Sequence, residues 1–158
     1  MNANTIQPEI AYKLNSRILF FDGIFSLIAI IAFIFSLNIL GISLIIVGTI
    51  IFLAKAKQET YLPTNSVIKK YSIFFDKQDM AALEKIINGN LTDETKYIKP
   101  NDSGTCKVEV TVSRDKEYIA IQLYRFVPYF YEKAADQIFH TGTKAKEIGN
   151  YFEICRKG

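Results

Sequence analysis

The sequence is short of nearly everything that builds a catalytic or metal centre. Its 158 residues include one His and two Cys. A single imidazole leaves a His-based metal cluster or catalytic triad without partners, and two thiols are too few for a disulfide scaffold. It contains no Gly-rich phosphate loop, no nucleophile elbow, no recognisable pair of inward-facing carboxylates and no internal repeat. Charge is missing over one long stretch: between Ile18 and Ala54 the only charged residue is Asp22. A chain that is 49% hydrophobic and 22% charged, with mean hydropathy +0.12, is not disordered. Its length is that of one domain, or of one small domain with an appendage.

The uncharged stretch is too long for one membrane span. A single helix over residues 18–54 would run about 55 Å against a hydrocarbon core of about 30 Å. Two spans fit, and the natural break is Asn38-Ile39-Leu40-Gly41, where a turn former and a Gly come close together. The reading is a first span over about 17–37 and a second over about 41–57. Lys13 and Arg17 precede the first; Lys55, Lys57, Lys69 and Lys70 follow the second; the turn carries no basic residue. The positive-inside rule then places both termini in the cytoplasm. The apolar run is too long, and begins too late, for a cleavable signal peptide. A wedge hairpin that does not fully span is the alternative, because the second span is short.

In the first span Asp22, Ser26, Ala29, Ala32 and Ser36 recur every three or four positions and form a candidate packing face. Gly41 and Gly48 of the second span would meet it, either within the hairpin or as the seam of an oligomer. Intramembrane acids mark ion or proton paths. Asp22, only five residues beyond Arg17, reads instead as an interfacial group within reach of Arg17, Lys55 or Lys57.

Outside the membrane stretch, Gln7–Ser16, with Pro8 at a helix N1 position, reads as a short interfacial helix or as the first turns of the first span, and residues 58–65 as a linker. Residues 66–158 read as a small α+β domain. Ser66–Phe75 is expected to be extended; Asp76 caps a helix that Gly89 ends. Cys106–Ser113 and Ile119–Tyr124 alternate apolar and polar residues, and a turn at Asp115-Lys116 puts Val112 opposite Ile119, Val110 opposite Ile121 and Val108 opposite Leu123. Asp136–His140 would add a strand, and a helix over about 143–155 would bury Ala145, Ile148, Phe152 and Cys155. Both Cys then sit on apolar faces as ordinary buried thiols. From Gln58 onward 15 basic residues oppose 14 acidic ones, so a nucleic-acid partner has no electrostatic support.

The segment Tyr124-Arg125-Phe126-Val127-Pro128-Tyr129-Phe130-Tyr131-Glu132 stands apart. Five of its nine residues are aromatic, and Pro128 ends the strand or puts it at an edge. It is either a second packing layer or an exposed aromatic and Arg surface, for which Arg125, Tyr129 and Tyr131 are the candidate interaction residues.

Tyr61-x-Pro63-Thr64-x-Ser66, Val112-Ser113-Arg114-Asp115 and Gln122-Leu123-x-Arg125-Phe126-Val127-Pro128-Tyr129 together resemble short uncharacterised two-span inner-membrane proteins of Bacteroides-type bacteria. The resemblance covers the linker and most of the domain. It implies an integral inner-membrane protein with a cytoplasmic domain, and no activity or catalytic residue comes with it.

The expected fold is a membrane α-helical hairpin of two transmembrane helices followed by a small α+β cytoplasmic domain, with an antiparallel β-hairpin or meander and two helices. The segments are 1–17 cytoplasmic, 18–54 transmembrane, 58–65 linker and 66–158 soluble domain. The expected role is a protein-interaction module or accessory subunit of a membrane complex, without enzymatic activity, cofactor, metal or nucleic acid. Its partners would be the lipid bilayer and a membrane protein or further copies of itself. An immunity-type or inhibitory membrane protein is the second reading, and a membrane-tethered enzyme the third.

Overall fold

Residues 16–55 are almost wholly Ile, Leu, Phe, Ala and small residues without Pro, so nothing interrupts helical hydrogen bonding except one reversal. In a computed structural model, which describes residues 9–92 and 98–157, they form α1 (Ser16–Ile34) and α2 (Asn38–Lys55). Asn15 caps α1, its side chain accepting from the Arg17 amide at 3.2 Å. Both helices are long and apolar enough to cross a membrane.

The reversal falls at Phe35–Leu37, earlier than the expected break at Asn38–Gly41. Ser36 adopts φ 60°, and the amides of Ser36 and Leu37 donate to Phe33 and Ala32 at 3.0 and 2.8 Å. This is a Schellman close with Ser where Gly is usual, so Asn38 is free to begin α2. Gly41 serves packing instead: a Cβ there would lie 3.0 Å from the Phe33 ring.

The chain folds as two compact units, Met1–Thr60 and Tyr61–Gly158. In the first, two short strands flank the helices, β1 (Ile10–Leu14) and β2 (Lys57–Tyr61), and they neighbour one another in a sheet. The Asn15 amide donates to Ala56 O at 2.7 Å, and the Tyr12 hydroxyl to Glu59 at 3.3 Å. Two expectations change here. Gln7–Ser16 contains a strand rather than a helix, while Gln7 and Pro8 lie outside the described residues. The segment expected as a linker, 58–65, begins as strand, leaving only 62–65 as a turn with Asn65 at φ 55°. Ladder pairing absorbs five polar and apolar residues that carry no sheet signature of their own.

The second unit is an antiparallel sheet with helices. β3 (Ser66–Phe75) pairs with β4 (Cys106–Ser113), which pairs with β5 (Tyr118–Val127). Val112 faces Ile119, Val110 faces Ile121 and Val108 faces Leu123, the register that the alternation predicts. One end of β5 pairs with β6 (Phe130–Lys133) and the other with β7 (Ile138–Thr141), which begins two residues and ends one residue later than the expected third strand.

A 3₁₀ turn (Lys77–Asp79) leads into α3 (Met80–Ile87), and α4 spans Gly142–Lys157. Asp76 precedes the 3₁₀ turn without capping it; its carboxylate accepts from Asn101 Nδ2 at 2.8 Å. Gly89, at φ 86°, closes α3. Leu83, Ile86 and Ile87 of α3 and Ala145, Ile148, Phe152 and Cys155 of α4 bury against Val108, Val110, Ile119, Ile121 and Leu123 in one core. Burial pushes the Cys106 thiol up to about 11, so it stays protonated.

Candidate functional site

β5 and β6 form a two-residue hairpin, because Val127 pairs with Phe130 across Pro128-Tyr129. Pro128 fixes φ near −65° at the first turn position, and Tyr129 takes φ 78° at the second, the pattern of a type II turn. That second position normally falls to Gly or Asn. Tyr129 occupies it with 99% of its surface exposed, flanked by Phe130 at 59% and Phe126 at 48%. Alternation puts Phe126 on one face of the ribbon and Val127 and Phe130 on the other, so both faces and the end of the tip are apolar.

Behind the tip the ribbon is tied. Arg125 pairs with Glu132 across the strands by an ion pair and a hydrogen bond from Nε. On the opposite face Lys107 Nζ lies 5.0 Å from the Tyr124 ring centre and 5.8 Å from that of Tyr131. Lys107 also pairs with Glu109 at 2.5 Å, and the Tyr124 hydroxyl donates to Glu109 at 2.9 Å. The Lys107 ammonium holds the Glu109 carboxyl below its usual value, against the opposing pull of burial.

The three candidate interaction residues therefore separate. Tyr129 is fully presented to solvent. Arg125 is exposed yet committed to Glu132. Tyr131 belongs to the ribbon: its hydroxyl donates to Gly104 O at 3.1 Å and its ring packs at 5.9 Å from Phe74 and 5.3 Å from Phe126. Sequence reasoning gave no prominence to Phe130 and Phe126. The signal was present, since a turn begun at Pro128 places Phe126 and Phe130 beside the end of a ribbon.

The helical face also divides. Ala29 and Ala32 are buried in the pair at 1% and 4% exposure, and Gly41 and Gly48 of α2 are buried too, facing Phe33 and Asp22 of α1. Asp22 is half-buried and lies over Gly48, where a Cβ would sit 3.2 Å from its Oδ1. Among the described residues Arg17, Lys55 and Lys57 form no ion pair with it. Ser26 is exposed, and Ser36 is in the reversal rather than on the face.

Elsewhere in the second unit, Ser72, Phe74, Lys99, Pro100, Asp102 and Arg156 line a groove of about 610 Å³. Arg156 there rests 4.9 Å from the centre of the Tyr71 ring, whose hydroxyl is pushed up to about 12 by burial. Among the described residues no three His, Cys, Asp or Glu side chains gather as a metal site would require. Comparison with family models, curated proteins and solved structures finds no match for this chain.

Proposed function

We propose that this chain is an integral protein of a bacterial inner membrane that crosses it twice through α1 and α2, with both termini in the cytoplasm. Its α+β unit works there as an interaction module, the accessory part of a membrane assembly. The observation that supports this reading is the circumference of the helical pair. Eighteen large apolar side chains of α1 and α2 are exposed, from Leu19 to Leu53, while the buried positions are Ala29, Ala32, Gly41 and Gly48. A water-soluble helix pair hides its large apolar residues and shows a polar stripe. Moving these side chains from water into lipid favours the membrane by on the order of 20 kcal/mol. The basic residues Lys13, Arg17, Lys55 and Lys57 at the outer ends of the pair, with none at its reversal, support that orientation.

Two surfaces suit partners. A Cβ on Gly23 would meet nothing within 4 Å, and Ser26 is exposed near it, so another helix can approach α1 closely on that side. The β5–β6 tip is the docking element of the α+β unit. The topology is tested by alkaline carbonate extraction together with a reporter fused after Gly158 that is active only outside the cytoplasm. Retention in the membrane with a silent reporter is the expected result; release by carbonate, or an active reporter, overturns the reading.

A further inference from the structure

The tip of the β5–β6 ribbon has the layered chemistry of a lipid interface. Tyr129, Phe130 and Phe126 occupy its end, and polar and basic groups stand behind them. The Arg125–Glu132 ion pair, without net charge, is two ladder steps back from Val127–Phe130, and the exposed cation Lys133, opposite Tyr124, is a third. At about 3.3 Å per step, Lys133 lies roughly 10 Å behind the aromatic end. A bilayer surface presents the same succession, with aromatic rings favoured just beneath the headgroups and Lys and Arg favoured at the level of anionic phosphates.

The size and shape of the patch suit a lipid surface better than a standard protein interface. With about 200 Å² for each aromatic side chain, the exposed rings at the tip amount to roughly 400 Å², half of what one side of a standard protein interface buries. The tip is also convex, since apolar side chains leave it on both faces and at the end.

We infer that the β5–β6 tip, through Tyr129, Phe130 and Phe126, docks into the headgroup layer of the membrane that carries the helices. This inference rests on the two-span reading and specifies what its docking element meets. The chain contains no Trp, so Tyr129→Trp and Phe130→Trp each create a single fluorophore at the tip, and Ile154→Trp creates one on α4 at a position 73% exposed. The full chain is placed in discs of phosphatidylethanolamine and phosphatidylglycerol with plain or brominated acyl chains. Both tip variants should show blue-shifted emission and lose intensity in the brominated discs, while Ile154→Trp keeps solvent-like emission in both.

Unquenched, solvent-like emission from both tip positions in discs that retain the protein overturns the inference and leaves the two-span reading intact. Blue-shifted emission that bromine does not quench also overturns it, because protein then covers the tip. A chain that carbonate strips from the discs refutes the two-span reading, and the inference with it.

Discussion

Replacing Tyr129 with Gly should make the α+β unit more stable although it removes the largest exposed side chain of the ribbon. A non-Gly residue at φ 78° carries about 1–2 kcal/mol of local strain. Gly relieves it and gives back about 0.5–1 kcal/mol through the greater freedom of the unfolded chain. The ring is 99% exposed, so its removal forfeits almost no packing. The net gain is about 0.5–1 kcal/mol, which slows exchange of the most protected β4 and β5 amides about two- to fivefold. Hydrogen exchange suits the question because it reads the sheet separately from the helical pair. Tyr129→Ala keeps the strained backbone and should leave the rates unchanged. If Tyr129→Gly accelerates exchange instead, the ring supports the fold, and its exposure carries no functional meaning. A residue that costs stability and packs on nothing is retained for what it touches outside the fold.

Other perturbations follow from the same geometry. Gly104→Ala places a Cβ 2.1 Å from Phe75 O and 2.7 Å from Phe75 N, so it should destabilise the unit by more than about 3 kcal/mol, read as a collapse of amide protection. Tyr131→Phe removes the donor to Gly104 O and should cost about 1 kcal/mol in urea unfolding, without altering the emission of a Trp at position 129. Gly48→Leu drives a side chain into Asp22 and Phe25 and should part the helices, giving slower migration of the unboiled protein in detergent gels than Gly48→Ala. Asp115 is pushed up by burial but drawn below its usual value overall by the Ser113 hydroxyl at 2.6 Å, the Thr64 and Ser66 hydroxyls and the Glu117 amide. Its folded-state value is depressed, so its stabilising contribution is present above the unfolded value near pH 4 and fades as pH falls below it. Asp115→Asn should therefore flatten the loss of stability between neutral pH and about pH 3 in urea titrations.

The parts of the fold legible in the sequence are those where one periodicity dominates. Cys106–Ser113 alternates without a break, so the partner strand and its register follow, because a slip of one residue would turn Val108, Val110 and Val112 outward. The helical pair is legible from apolar length alone, but its reversal is not. A Schellman close needs one left-handed residue, and Ser36 gives no warning that it will be that residue, whereas Asn38 and Gly41 advertise a turn they do not make. The strands Ile10–Leu14 and Lys57–Tyr61 are equally silent, since their extended state is set by pairing rather than by composition. At the tip, aromatic richness was visible. Its division was not: Tyr131 is held by Gly104 O, an atom 27 residues away, and no local pattern reports that bond.

The brevity of the Phe35–Leu37 reversal governs how such a protein is made and how it can be detected. Three residues form no loop, so in the two-span reading proposed above α1 and α2 would enter a bilayer together, as one hairpin. On the far side such a hairpin offers no lysine, no cysteine and no protease-sensitive segment. In the topology proposed above, impermeant labels, antibodies and proteases applied from outside a cell should therefore find nothing to grip.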